Sequence, residues 1–196
     1  MLRHSLEGQA TEIGWIRDNV CELDDDDYLR MCLKKTSWYT CIYPCRIGAL
    51  VATGEARAGH DFDRFGWYLG AAFQIQDDIL NLVGDFEQYG KEISGDLWEG
   101  KRTLMLIRFL QSCTGDERES VRGHLARARR ERDPEQVLWM RDRLTATECL
   151  EPVRHCAREL AEAARVEGSQ ALAEARDSDD KRFLLELPAY VIGRDR

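Results

Sequence analysis

Three features of the sequence predict an all-α fold. Interruptions are few, with 4 prolines and 15 glycines in 196 residues. Alternating runs of Val, Ile and Thr, which mark strands, are nearly absent. Apolar side chains recur instead at spacings of three and four, most clearly from Phe62 to Leu80. The length suits one domain over residues 1–196, and no repeat, low-complexity tract or linker divides it.

The elements follow in order. Leu2 to Val20 reads as a helix with Leu2, Leu6, Ile13 and Ile16 on its buried face. The run Asp24–Asp27 precedes a second helix from Tyr28. Carboxylates at a helix start accept from free N–H groups and complement the positive end of the dipole, so the run is read as a cap rather than a metal site. The helix continues over Leu33–Gly54, with a kink expected near Tyr43 because Pro44 cannot donate. Gly48, Ala49 and Ala52 are small enough to admit a neighbouring helix. A boundary at Gly59–Asp61 leads into a long helix, Phe62–Val83. Its inward stripe is Phe62, Phe65, Leu69, Ala72, Phe73, Gln76, Ile79 and Leu80, with Gly66 and Gly70 set for a close crossing. A Gly-, Lys- and Asp-rich loop then runs to Gly100. Further helices are expected at Thr103–Gln111, Glu117–Arg130, Pro134–Arg143, Ala146–Ala175 and Asp180–Leu187, with Pro152 marking a start or bend in the fourth.

Composition narrows the function. A net charge of -8 argues against general nucleic-acid binding. The arginines at 127, 129, 130 and 132 alternate with Glu131 and Asp133, as a solvated helix face does. The 7 cysteines include no Cys-x-x-Cys pair, and Cys41 and Cys45 have no histidine nearby to complete a zinc site. Free thiols in a reducing cytoplasm are therefore expected. No signal peptide is seen, and the best apolar run, Ile47–Ala52, is far short of the ~20 residues that span a bilayer.

The chemistry is concentrated at Phe73–Asn81 and just downstream. Asp77, Asp78 and Asn81 stand at i, i+1 and i+4 of a helix, which presents hard oxygen donors to Mg²⁺. Two carboxylates on a helix are usually a solvated face. Here they interrupt an apolar stripe, and buried carboxylates need a cation or a metal. Lys91 and Lys101 follow beside glycines, and Lys34-Lys35-Thr36 adds ammonium and hydroxyl donors from another helix. Such donors suit the free oxygens of a metal-bound diphosphate.

Together these residues resemble the polyprenyl synthetase family, the trans-type isoprenyl diphosphate synthases. The family's second aspartate-rich motif is matched by Phe73, Gln74, Asp77 and Asp78, with Asn81 replacing its last aspartate. The run that follows it is matched by Gly90-Lys91, Gly95-Asp96-Leu97 and Glu99 through Thr103. Lys35-Thr36 with Tyr39-Thr40 and Pro44 matches an upstream motif, and Gly8-Gln9 with Glu12 resembles another, with glutamate for aspartate. Leu187–Tyr190 is a weaker match.

The resemblance implies a helical bundle of the isoprenoid synthase type around a deep apolar pocket. It implies a prenyltransferase of isoprenoid biosynthesis that joins an allylic prenyl diphosphate to isopentenyl diphosphate, with Mg²⁺ as cofactor. By position, Asp77 and Asp78 would hold Mg²⁺. Lys35, Thr36, Lys91 and Lys101 would contact the allylic diphosphate, Gln74 would position the second substrate, and Phe73 would face the reacting carbons.

A first aspartate-rich motif precedes Gly-Gln in the family, and Asp24–Asp27 stands in the wrong place to replace it. The expectation is therefore an N-terminally truncated bundle, and an isolated chain that turns over prenyl substrates poorly. A non-catalytic subunit lending its half-site to a partner chain is an alternative. A terpene cyclase of related fold is another, towards which Asn81 leans. The resemblance also implies a homodimer.

Overall fold

The computed structural model describes residues 2–83 and 94–194, and every regular element among them is helical. The chain begins with α1 (Leu2–Arg17), α2 (Asp25–Cys32), a π-helical segment (Leu33–Ile42), α3 (Tyr43–Thr53) and a 3₁₀ stretch (Ala56–Phe62). It continues with α4 (Asp63–Val83), α5 (Gly95–Glu99), α6 (Leu104–Ser112) and α7 (Gly115–Leu125). A short 3₁₀ turn (Arg129–Glu131) then leads to α8 (Pro134–Thr145), α9 (Thr147–Ala171) and α10 (Asp179–Gly193). None of the described helices is long and apolar enough to cross a membrane.

The acidic run is a cap. Asp24 accepts from the Asp27 N–H at 2.9 Å, and Asp27 accepts in return from the Asp24 N–H at 3.3 Å, a reciprocal capping box. Asp25 is drawn away to pair with Arg108 of α6 at 2.7 Å. The break expected at Pro44 takes another form. The helix widens into ten residues of π-helix before it, and Pro44 lies in the first turn of α3, where no N–H is needed.

Helix α4 is the centre of the bundle, packed between the π segment and α9. The π segment approaches it closely. A Cβ added at Gly70 would lie 2.4 Å from Ser37 Oγ and 2.6 Å from Ser37 Cα, and one at Gly66 would lie 2.9 Å from Ile42 Cα. The larger core joins Tyr28, Ile75, Ile79, Leu104, Leu106, Phe109, Leu125 and Met140, and a smaller one joins Phe65, Leu69, Ala72, Ala161, Ala164 and Val191. Burying each such Leu, Ile or Phe contributes roughly 1.5–3 kcal/mol. Because α4 is covered on two sides, its buried set is wider than a single stripe. It takes in Gln74, Ile75 and Asp78, while Phe73 and Gln76 are only half-buried.

Several expectations are corrected. In α1 the buried residues are Gly8 and Glu12, whereas Leu2, Leu6 and Ile13 are more than half exposed. A polar contact sets that face: Glu12 pairs with Lys35, and Gly8 lets α1 approach the Lys35 backbone, which a Cβ would meet at 2.3 Å. Gly48 has nothing within 4 Å, and Ala49 and Ala52 do not pack in the core, so no helix closes on α3 there. The loop before Gly100 contains α5, α7 ends at Leu125, and α10 reaches Gly193. Pro152 lies inside α9. Arg132 is buried rather than solvated. All seven cysteines are free, as their spacing led us to expect.

Gly70→Ala is expected to destabilise the fold by about 1–3 kcal/mol through overpacking against Ser37. Gly48→Ala, with open space around it, should be neutral or stabilising by up to about 1 kcal/mol. Urea unfolding of the two variants checks the contrast.

Candidate active site

Helix α4 presents its polar residues in two directions. Gln74, Asp78 and Asn81 are buried and face α2, the π segment and α5. Phe73 and Asp77 face the end of α10, where the Arg194 guanidinium lies 4.2 Å from the Phe73 ring centre and 3.5 Å from Asp77 Oδ1. Gln76 Nε2 donates to the Arg194 carbonyl at 3.1 Å.

Asp78 is the hub. Its Oδ2 accepts from the Tyr28 hydroxyl at 2.8 Å, and its Oδ1 accepts from Gln74 Nε2 at 2.9 Å and Lys101 Nζ at 2.8 Å. The carboxylate is only 2% exposed, so these donors replace the water it has lost. Lys101 Nζ also donates to Asp96 Oδ2 at 3.1 Å. Burial opposes its charge, but Asp78 and Asp96 beside it outweigh that and raise the ammonium well above the usual lysine range. Burial and the Asp78 charge push the Asp96 carboxyl up to about 6, against the pull of Lys101. Burial, reinforced by Asp78, likewise raises the Tyr28 phenol well above its usual value.

The network extends through Gln74, whose Oε1 accepts from the Thr36 hydroxyl at 2.7 Å. Next to Thr36, Lys35 Nζ meets both Glu12 oxygens at 2.8 and 2.6 Å. Asn81 anchors α5: its Oδ1 accepts from the Asp96 N–H at 3.0 Å, and its carbonyl accepts from the Ser94 N–H at 2.7 Å. Beyond Phe73 lies an apolar cavity of about 460 Å³, walled by Cys41, Cys45, Phe65, Leu69, Leu187 and Val191 among others. Burial pushes the Cys41 thiol up to about 12 and the Cys45 thiol to about 11, so neither is a ready nucleophile.

Lys35, Thr36, Gln74, Asp78, Asn81 and Lys101 are thus linked into one polar region, and Phe73 and Asp77 lie on its flank toward Arg194. Lys91 lies outside the described residues. Glu12, Tyr28, Asp96 and Arg194 join the region without having been singled out for it. Glu12 and Asp96 stand within the motifs quoted above, whereas Tyr28 and Arg194 carry no signal in sequence.

The donor set fits Mg²⁺ only as a shared ligand. Among the described residues no group of three His, Cys, Asp or Glu could hold a metal ion alone. The Asp78 oxygens and the Asn81 amide oxygen are occupied by protein donors. Asp77, with its side chain 29% exposed, stands at the rim. Mg²⁺ keeps several waters and takes one or two carboxylates plus substrate phosphate, which is what such a rim can offer.

The chain is similar to known proteins over most of its length. The family model described as polyprenyl synthetase matches residues 1–141. A geranylgeranyl diphosphate synthase of Sulfolobus acidocaldarius is 36% identical over 115 residues, covering 59% of this chain and 34% of that protein. The octaprenyl diphosphate synthase of Escherichia coli is 29% identical over 191 residues, 97% of this chain and 56% of the relative. A polyprenyl synthase from Caulobacter crescentus, solved with calcium and isoprenyl diphosphate, superposes with a TM-score of 0.83 at 27% identity. It is covered over 56% of its length by 99% of this chain. The chain thus spans about half the length, or less, of the relatives it matches.

Asp96 makes stability depend on pH in a defined sense. Between its ordinary value near 4 and its raised value near 6, the folded protein retains a proton that the unfolded chain has lost. Its contribution is therefore complete below about pH 4 and is lost as pH rises through 6. Relative to Asp96→Asn, the wild type should lose stability across that window, as measured by urea unfolding at several pH values.

Proposed function

The chain belongs to the polyprenyl synthetase family, and from that premise we propose that its polar network is the diphosphate-binding end of a prenyl transfer site. The reaction is condensation of an allylic prenyl diphosphate with isopentenyl diphosphate, releasing pyrophosphate. The observation that carries the reading is Lys101, an ammonium 12% exposed and held between Asp78 and Asp96. A buried cation prepositioned by two carboxylates needs no reorganisation to meet an incoming anion.

In this scheme Lys101 and Lys35 donate to oxygens of the allylic diphosphate, and the Thr36 hydroxyl adds a third donor. Lys91 serves the same ligand. Gln74, gripped by Thr36 and Asp78, orients the second substrate. Phe73 presents its ring to the reacting carbons and is held flat by the Arg194 guanidinium. Asp77 at the rim would offer its carboxylate to Mg²⁺, while Asp78 and Asn81, engaged by protein donors, fix the helix behind it. When bound, the ion would neutralise charge on the leaving pyrophosphate. Among the described residues, Lys35, Lys101 and Arg194 are each already paired with a carboxylate of the site, so a metal cation would add to the attraction for a polyanion.

A second reading, in which another polypeptide completes the site, is favoured by one observation. Leu2, Leu6 and Ile13 of α1 are exposed, and such apolar patches mark interaction surfaces.

Asp77→Ala and Lys101→Met are each expected to weaken Mg²⁺-dependent pyrophosphate binding at least about tenfold, or ~1.4 kcal/mol, by calorimetric titration. Unchanged affinity in both variants would overturn the proposal.

A further inference from the structure

Helix α5 has five residues, too few to hold its shape by its own hydrogen bonds, yet it and the turn after it carry Asp96 and Lys101. Its N-terminal end is tied to α4 by Asn81. Its C-terminal end is tied by two buried arginines that make no ion pair among the described residues.

Arg132 is 6% exposed. Its Nη1 donates to the Leu97 and Trp98 carbonyls at 2.9 and 2.6 Å, the last turn of α5. Its Nη2 donates to Leu125 O at 3.1 Å, the last residue of α7, and its Nε to Arg127 O at 3.2 Å, just past it. Arg102, 1% exposed, grips the Gly100 carbonyl and reaches back to Val20 O at 2.8 Å and Asn19 Oδ1 at 2.7 Å. Gly100 is the hinge between them. Its φ of 69° suits glycine, and a Cβ there would lie 2.4 Å from Arg132 Nη2. Burying a guanidinium without a counter-ion is costly, and packing alone would favour an apolar residue. A planar guanidinium with five donors holds all four carbonyls in fixed directions, one more than the three donors of a lysine ammonium can reach.

We infer that Arg132 is a positioning residue for Lys101. By fixing the end of α5 against α7, it sets the turn from which Lys101 reaches Asp78 and Asp96, while Arg102 secures the same turn from the side of Val20. The role of Lys101 toward diphosphate rests on the function proposed above; its placement by Arg132 does not.

The test uses the full chain with isotope-labelled lysine side chains read by NMR, and inorganic pyrophosphate with Mg²⁺ as the probe. Lys101→Met identifies the Lys101 ammonium signal, which the two carboxylates shield from exchange with water. Arg132→Met, at unchanged helical circular dichroism, is expected to shift or lose that signal and to weaken pyrophosphate binding roughly tenfold. Added guanidinium ion should restore both. A folded Arg132→Met protein with the ammonium signal unchanged overturns the inference. If Arg132→Met does not fold, Arg132→Lys keeps the charge without the fork and is judged by the same signal. Failure of both to fold makes Arg132 a folding residue only and also overturns it. Wild-type pyrophosphate affinity in both Lys101→Met and Asp77→Ala would sink the proposed function, while the NMR signal still decides the placement.

Discussion

A carboxylate that is almost wholly out of water must be surrounded by donors, and Asp78 sets the arrangement of everything near it. Tyr28, Gln74 and Lys101 come from three separate parts of the chain and converge on its two oxygens. Removing any one would leave part of a buried charge unsatisfied, at a cost of a few kcal/mol. The requirement propagates outward. Gln74 fixes Thr36, and Lys101 fixes Asp96. The π segment, α4 and α5 are thereby registered to one another by polar contacts as well as by packing.

The same arithmetic separates the two adjacent aspartates. Asp78 is committed to the protein interior, whereas Asp77 sits at the rim beside a cation that a ligand could displace. Neighbouring residues on a helix point about 100° apart. An Asp-Asp pair can therefore divide its work, one carboxylate anchoring the scaffold and the other facing exchangeable partners. Lysines held by carboxylates keep the charges of this region paired within the protein.

How much of this was legible in the sequence depends on which force decided each element. Repetition at three and four residues placed α4, because apolar burial dictates it. The orientation of α1 was hidden, since a Glu12–Lys35 ion pair between distant positions overrode its leucines. Hydrophobic periodicity has no means to report such a pair. The arginine-rich stretch read as solvated because its mixed charges resemble a surface. Arg132 is nonetheless buried, satisfied by backbone carbonyls, and carbonyls are present at every residue and leave no mark in the sequence. The candidate site residues stood out as an unusual cluster of oxygen and ammonium side chains, and the fold brings Thr36, Gln74, Asp78 and Lys101 into contact. Tyr28 and Arg194 were not, because one aromatic or one arginine is unremarkable until the fold brings it close.

Each turn of the π segment at Leu33–Ile42 holds about one residue more than an α turn. With the wider turns kept, excising a single residue there would rotate Lys35 and Thr36 by roughly 80° relative to the helix that follows. Composition and hydrophobicity would hardly change, but the alignment of both side chains with α4 would be gone. Surface loops absorb gains and losses of length with little penalty. This helix, packed against α4 along its Thr36, Ser37, Cys41 and Ile42 face, does not absorb the loss of one codon so easily.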